Sequence, residues 1–175
     1  MPILALTKTW QERKKMEPIK EIHFDRVYDA PLDVVWQAWT DPHRLMQWWG
    51  PKGVSIPECE VDLRVGGTIY IVMEADETMG AYQGTKWPMR GEFTRIEPKT
   101  HLAYHAQAWT EGQEEETKID QTTELTLSEE DGKTKLHIKA AIHTVGPGAT
   151  MAVQGMEYGF TQQLDKLASF LSEQK

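Results

Sequence analysis

The clearest hydrophobic periodicity lies near the end of the chain, where Met156, Phe160, Leu164, Leu167 and Leu171 recur at spacings of three and four residues. One apolar stripe on a 3.6-residue period predicts a long amphipathic helix over 150–171, with Asp165 and Lys166 off the stripe. Gly155 and Gly159 lie one turn apart within it. Each costs roughly 1 kcal/mol relative to Ala in a helix, so either a packing or pocket requirement keeps them or the helix tolerates its own imperfection. The rest of the chain reads as a surface built to receive this helix.

Upstream, Ile22, Phe24, Arg26 and Tyr28 alternate with Glu21, His23, Asp25 and Val27, a first strand over 20–28 that stops at Asp29-Ala30-Pro31. Pro31 suits a helix start, and Leu32, Val35, Trp36 and Trp39 follow at helical spacing. A second start comes at once, with Asp41 as N-cap, Pro42 as first helical residue and Leu45, Trp48 and Trp49 beyond, until Gly50-Pro51 ends it. Strand signals then dominate. Val54 to Arg64 contains Pro57, which implies an edge position or a bulge, and Gly66-Gly67 turns it into an apolar strand over 68–73, giving a hairpin. The stretch 74–88 is polar, a lid or an ornament at a sheet end. Strands resume at 89–96 and at Leu102, Tyr104, Ala106 and Ala108, where two small residues leave room. An acidic loop over 109–120 precedes a strand through Thr123, Leu125 and Leu127, the hairpin turn Asp131-Gly132, and a return through Leu136, Ile138, Ala140 and Ile142. On period alone, Lys135, His137, Lys139 and His143 on the other face meet water. Gly146, Pro147 and Gly148 break the sheet before the last helix. Hairpin-linked strands with segregated helices make an α+β domain.

Composition narrows the function classes. A length of 175 residues fits one domain over 19–175, preceded by a leader or short helix over 1–18 closed by Pro18. A formal charge of −8 and the absence of a basic face argue against nucleic-acid binding. The single cysteine, Cys59, has no partner for an intrachain disulfide, which fits a reducing compartment. No apolar run reaches the ~18 residues of a membrane span, and the apolar start Met1 to Leu6 is followed by charges on the wrong side for a signal peptide. The expected location is therefore the cytoplasm. Seven Trp, five Tyr and four Phe supply large rings that line a cavity as readily as they fill a core.

Catalytic and metal signatures are missing from the sequence: Gly66-Gly67 lacks the Lys-Ser of a phosphate loop, and six His and one Cys show no zinc spacing. No cofactor is expected. His101 and His105 fall on one strand face about 13 Å apart at ~3.3 Å per residue, too far to share a metal, although either can pair with a carboxylate on a neighbouring strand.

The run Ala30-Pro31, Val35-Trp36, Thr40-Asp41-Pro42, Leu45 and Trp48-Trp49-Gly50-Pro51 resembles the signature of START-like, SRPBCC-superfamily proteins, in the group named for the activator of the ninety-kilodalton heat-shock chaperone's ATPase. Three further stretches carry the resemblance: 62–67 (Asp-Leu-Arg-Val-Gly-Gly), Gly91-Glu92-Phe93 running on to Ile96-Glu97-Pro98 and Leu102, and Gly159-Phe160 with Leu164 to Leu167. Together they span roughly 20–172. The resemblance implies a helix-grip fold, in which a curved antiparallel sheet of six to seven strands holds the C-terminal helix over a cavity. Two departures stand out: Phe160 replaces the usual Trp, and the connection 74–88 is longer than typical.

With that cavity in view, Trp36, Trp39, Trp48, Trp49, Tyr70, Phe93, Tyr104, Met156 and Phe160 are candidates to line an apolar ligand site. Arg64 and Arg90 are candidate partners for a ligand oxygen at its mouth. The favoured expectation is non-catalytic binding of an apolar or aromatic small molecule. Two alternatives remain, a partner domain for the heat-shock chaperone and a cyclase- or hydrolase-type enzyme using the same cavity. A homodimer through an exposed first or second strand stays open, as does a monomer with that edge covered by the leader.

Overall fold

The computed structural model describes residues 17–174. Of the expected leader only Glu17 and Pro18 fall within them; the remainder lies outside the described residues.

Strand β1 (Lys20–Tyr28) buries Ile22, Phe24 and Tyr28. At its end Pro31 opens helix α1 (Leu32–Thr40), its carbonyl accepting from the Val34 and Val35 amides. The Asp41 carboxylate accepts from the His43 amide at 2.8 Å and so caps α2 (Pro42–Trp48), which begins on the proline. These two short helices bring Trp39, Trp48 and Trp49 together with centroids 4.7 to 5.9 Å apart. Trp48 finishes the cluster by donating Nε1–H to the Ala38 carbonyl at 3.0 Å.

Seven strands follow one another into a single antiparallel sheet: β1, β2 (Val54–Val61), β3 (Thr68–Ala75), β4 (Lys86–Glu97), β5 (His101–Ala108), β6 (Ile119–Glu130) and β7 (Lys133–Val145). Their spatial order is β1-β7-β6-β5-β4-β3-β2. Pro57 thus sits on an edge strand, and the register also shifts between Ser55 and Glu58, so both expectations for it hold together. The sheet curves around the long C-terminal helix and gives the helix-grip fold. A one-turn helix α3 (Glu114–Thr117) interrupts the acidic loop, and a 3-10 turn at Pro147–Ala149 leads into α4 (Thr150–Ser172). No helix among the described residues is long and apolar enough to cross a membrane.

Two stretches differ from the sequence reading. The polar connection 74–88 is shorter than expected, because β3 runs to Ala75, β4 begins at Lys86 and a kinked 3-10 segment (Glu77–Tyr82) fills the space between. His143, placed in water by strand period, is buried. The register of β6 against β7 shifts there, from Asp120 opposite Thr144 to Gln121 opposite Ile142, which leaves His143 as the extra residue of a bulge. The imidazole nevertheless keeps to the outer face, where it meets the Thr122 hydroxyl at 3.1 Å, and is buried there rather than turned into the core.

Candidate functional site

Between α4 and the concave face of the sheet lies a cavity of about 380 Å³, within the usual ~300–1,000 Å³ of small-molecule sites. Alternation along the strands sends Ile71 and Met73 of β3, Met89 of β4, Ala108 of β5 and Gln121 of β6 into its floor. Ala108 is one of the two small residues that left room on that strand. Met79, from the 3-10 segment, and Trp87, Trp109 and Thr117, from either side of the strand ends, close its flanks. The roof is the first half of α4, where Ala152, Gly155, Met156, Gly159 and Gln163 recur at helical spacing and face inward.

The roof explains the two glycines. A Cβ placed at Gly155 or at Gly159 meets no heavy atom within 4 Å beyond the helix's own backbone, so no packing contact requires their smallness. What their missing side chains provide is room in the cavity.

Three side chains of α4 tie its middle to the Trp49-to-Lys52 segment. Gln163 Oε1 accepts from the Gly50 amide at 3.1 Å, Gln162 Oε1 accepts from the Lys52 amide at 3.2 Å, and Lys166 Nζ donates to the carbonyls of Trp49 and Pro51 at 3.0 and 3.4 Å. Partial burial lowers the Lys166 pKa. Gly50 is obligatory in this junction: φ is +82°, and a Cβ would stand 2.6 Å from Val54 Cγ2 and 2.9 Å from Met73 Sδ.

The structure distributes the eleven candidate residues over three places. Trp49, Met156 and Phe160 reach the cavity wall. Trp36, Trp39, Trp48, Phe93 and Tyr104 are buried in the core, with Phe93 and Tyr104 packed edge to face at 6.3 Å; burial pushes the Tyr104 pKa up to about 12. Arg64, Tyr70 and Arg90 are off the cavity wall: Arg64 is exposed and paired with Asp62 at 2.8 Å, and the exposed Arg90 lies over the Tyr70 ring at 4.4 Å. Sequence reasoning passed over Met79, Trp87, Trp109, Gln121 and Gln163. Two of them, Trp87 and Trp109, were detectable as large rings flanking polar connections.

The pairing of a strand histidine with a neighbouring carboxylate falls away from the cavity. His105 Nε2 meets Asp120 Oδ1 across β5 and β6 at 2.9 Å, and Gln107 donates to the other carboxylate oxygen at 3.0 Å. These side chains alternate with Tyr104, Ala106 and Ala108, so the couple occupies the sheet face opposite the cavity. None of the described residues lining the cavity is titratable. Among the described residues no three His, Cys, Asp or Glu side chains gather closely enough to hold a metal ion.

A curved antiparallel sheet gripping a C-terminal helix over an apolar cavity defines the START-like, helix-grip class. Within that class the chain belongs to the family described as activator of Hsp90 ATPase homolog 1-like protein, whose family model matches residues 29–172. Solved structures agree. CalU16 from Micromonospora echinospora is 30% identical over 87% of this chain and 76% of its own, with a TM-score of 0.56. A protein from Arthrobacter aurescens is 26% identical over 87% and 86%, with a TM-score of 0.71. A third, from Nitrosomonas europaea, shares the fold at a TM-score of 0.68, with 24% identity over 89% of this chain and 96% of its own. No curated protein matches.

Proposed function

We propose that the chain is a non-catalytic binding protein that holds an apolar or aromatic small molecule between the sheet and the first half of α4. The observation that carries this reading is the cavity roof: two glycines sit mid-helix where no neighbour needs them small, over an apolar space of about 380 Å³. A helix selected only for core packing has no use for either. The absence of a titratable side chain from the described wall favours binding over general acid–base chemistry.

Native mass spectrometry of gently purified chain, set against the denatured mass of the same sample, tests the reading. A stoichiometric adduct lost on denaturation is the expected result. A bare chain that also takes up no aromatic probe overturns it. Docking on a heat-shock chaperone, suggested by the family's description, is checked separately by retention of the chaperone on immobilised chain.

A further inference from the structure

Gln163 is 7% exposed and lines the cavity, yet only half of its amide is used. Its Oε1 accepts from the Gly50 amide at 3.1 Å, which fixes the orientation of the group, because the backbone N–H needs an oxygen opposite it. Nε2 is then left buried without a hydrogen-bond partner. Buried donors are nearly always satisfied. A second amide, Gln121, enters the same cavity from the sheet floor.

Around these amides the described wall carries no charge of either sign, while Met73, Met79, Met89 and Met156 present polarisable sulfur and Trp49, Trp87, Trp109 and Phe160 present ring surface. Thioethers and aromatic rings favour a flat π-system. A carboxylate or an ammonium entering such a wall loses its hydration and gains no counter-ion. A pure hydrocarbon offers Gln163 Nε2 no acceptor and leaves the donor orphaned.

Resting on the binding function proposed above, we infer that the ligand class is an uncharged aromatic molecule bearing a hydrogen-bond acceptor, such as a ketone, quinone or ester oxygen, which receives the N–H of Gln163 Nε2. Arg64 and Arg90, the candidate partners for a ligand oxygen, stand outside this site, so no guanidinium is placed to neutralise a charged ligand.

Three probes of one shape test the inference by calorimetric titration into the full chain: 2-acetylnaphthalene, 2-isopropenylnaphthalene and 2-naphthoate. The ketone is expected to bind about tenfold more tightly than the hydrocarbon, the worth of one buried donor satisfied rather than orphaned, and the carboxylate weakest of the three at neutral pH. Gln163→Met, close in length and volume, is expected to collapse the ketone-to-hydrocarbon ratio towards one. Because both probes are measured on the same variant, a general loosening weakens both and leaves the ratio standing. If the variant does not fold, the side-chain amide resonances of Gln163 in the unmodified chain give the same information, shifting with the ketone and not with the hydrocarbon. Equal affinity for ketone and hydrocarbon, or tightest binding of the carboxylate, overturns the ligand class and leaves the cavity reading intact. Binding of none of the three overturns the cavity reading and this inference with it.

Discussion

The two halves of helix α4 are made for different purposes. From Gln163 onward, Leu164, Leu167 and Leu171 are buried, and each contributes about 2 kcal/mol by removing its side chain from water. Tyr28 adds a hydrogen bond from its hydroxyl to the Leu164 carbonyl at 3.2 Å. From Thr150 to Gln162 no residue is buried; Met151 and Tyr158 are 83% and 71% exposed, no side chain caps the helix start, and two glycines interrupt the inward face. Only Val153, Met156 and Phe160 of that half pack against the core, Phe160 by stacking on Phe24 with centroids 5.4 Å apart. One half is anchored and the other is suspended over space. A helix end so weakly held in the empty protein is stabilised most by whatever fills the cavity beneath it.

The largest expected effect comes from attacking the anchored half. Leu167→Ala is expected to lower stability by about 3 kcal/mol in urea unfolding, whereas Met156→Ala on the cavity roof is expected to cost under ~1 kcal/mol, because its side chain borders space already. Equal losses would erase the distinction between the halves.

Alkaline pH presses on the same anchor. Burial raises the pKa of Tyr28, beneath Leu164, and pushes Tyr104 up to about 12 and Cys59 up to about 11. Folded-state values above the ordinary 10.0 and 9.0 mean that the stability held by these neutral groups is complete below about pH 9 and is lost as pH rises through 12. Tyr104 alone accounts for roughly 2–3 kcal/mol of that fall. Lys166 acts oppositely, since its depressed pKa relieves a penalty as it loses its proton on the way to 10.5. Stability measured against pH is therefore expected to decline above pH 9, less steeply in Tyr28→Phe. An unchanged slope in that variant would detach Tyr28 from the anchor.

A smaller effect separates fold from site at the roof. Gly155→Ala and Gly159→Ala each meet open space and are expected to stabilise the empty chain by up to about 1 kcal/mol, read as a higher urea midpoint, while weakening uptake of 2-acetylnaphthalene. Destabilisation by either substitution would show that the glycines serve packing after all.

The anchored half was the most legible feature in the sequence, because Leu164, Leu167 and Leu171 are apolar, helically spaced and buried for that reason alone. Helix starts at Pro31 and Asp41 were equally readable, since capping depends on residues adjacent in the chain. The site was less so. Nothing adjacent in the chain marks Gln163 or Gln121, and only the meeting of α4 with the Gly50 junction and the sheet floor buries them. Trp39 and Trp48, both named for a pocket, pack on each other instead, because α1 and α2 fold back-to-back and bring them into contact before either can reach the cavity. The burial of His143 was not legible either, because it comes from a contact between strands, with Thr122 on the outer face of the sheet.

Amide hydrogen exchange along α4, with and without 2-acetylnaphthalene, tests the division most directly. In the empty chain, Leu164 to Leu171 are expected to exchange far more slowly than Ala152 to Phe160, and the ketone is expected to protect Ala152 to Gln163 together with the floor strands while leaving the anchored half unchanged. Uniform protection along the empty helix, or a probe that slows only its anchored half, would contradict the account.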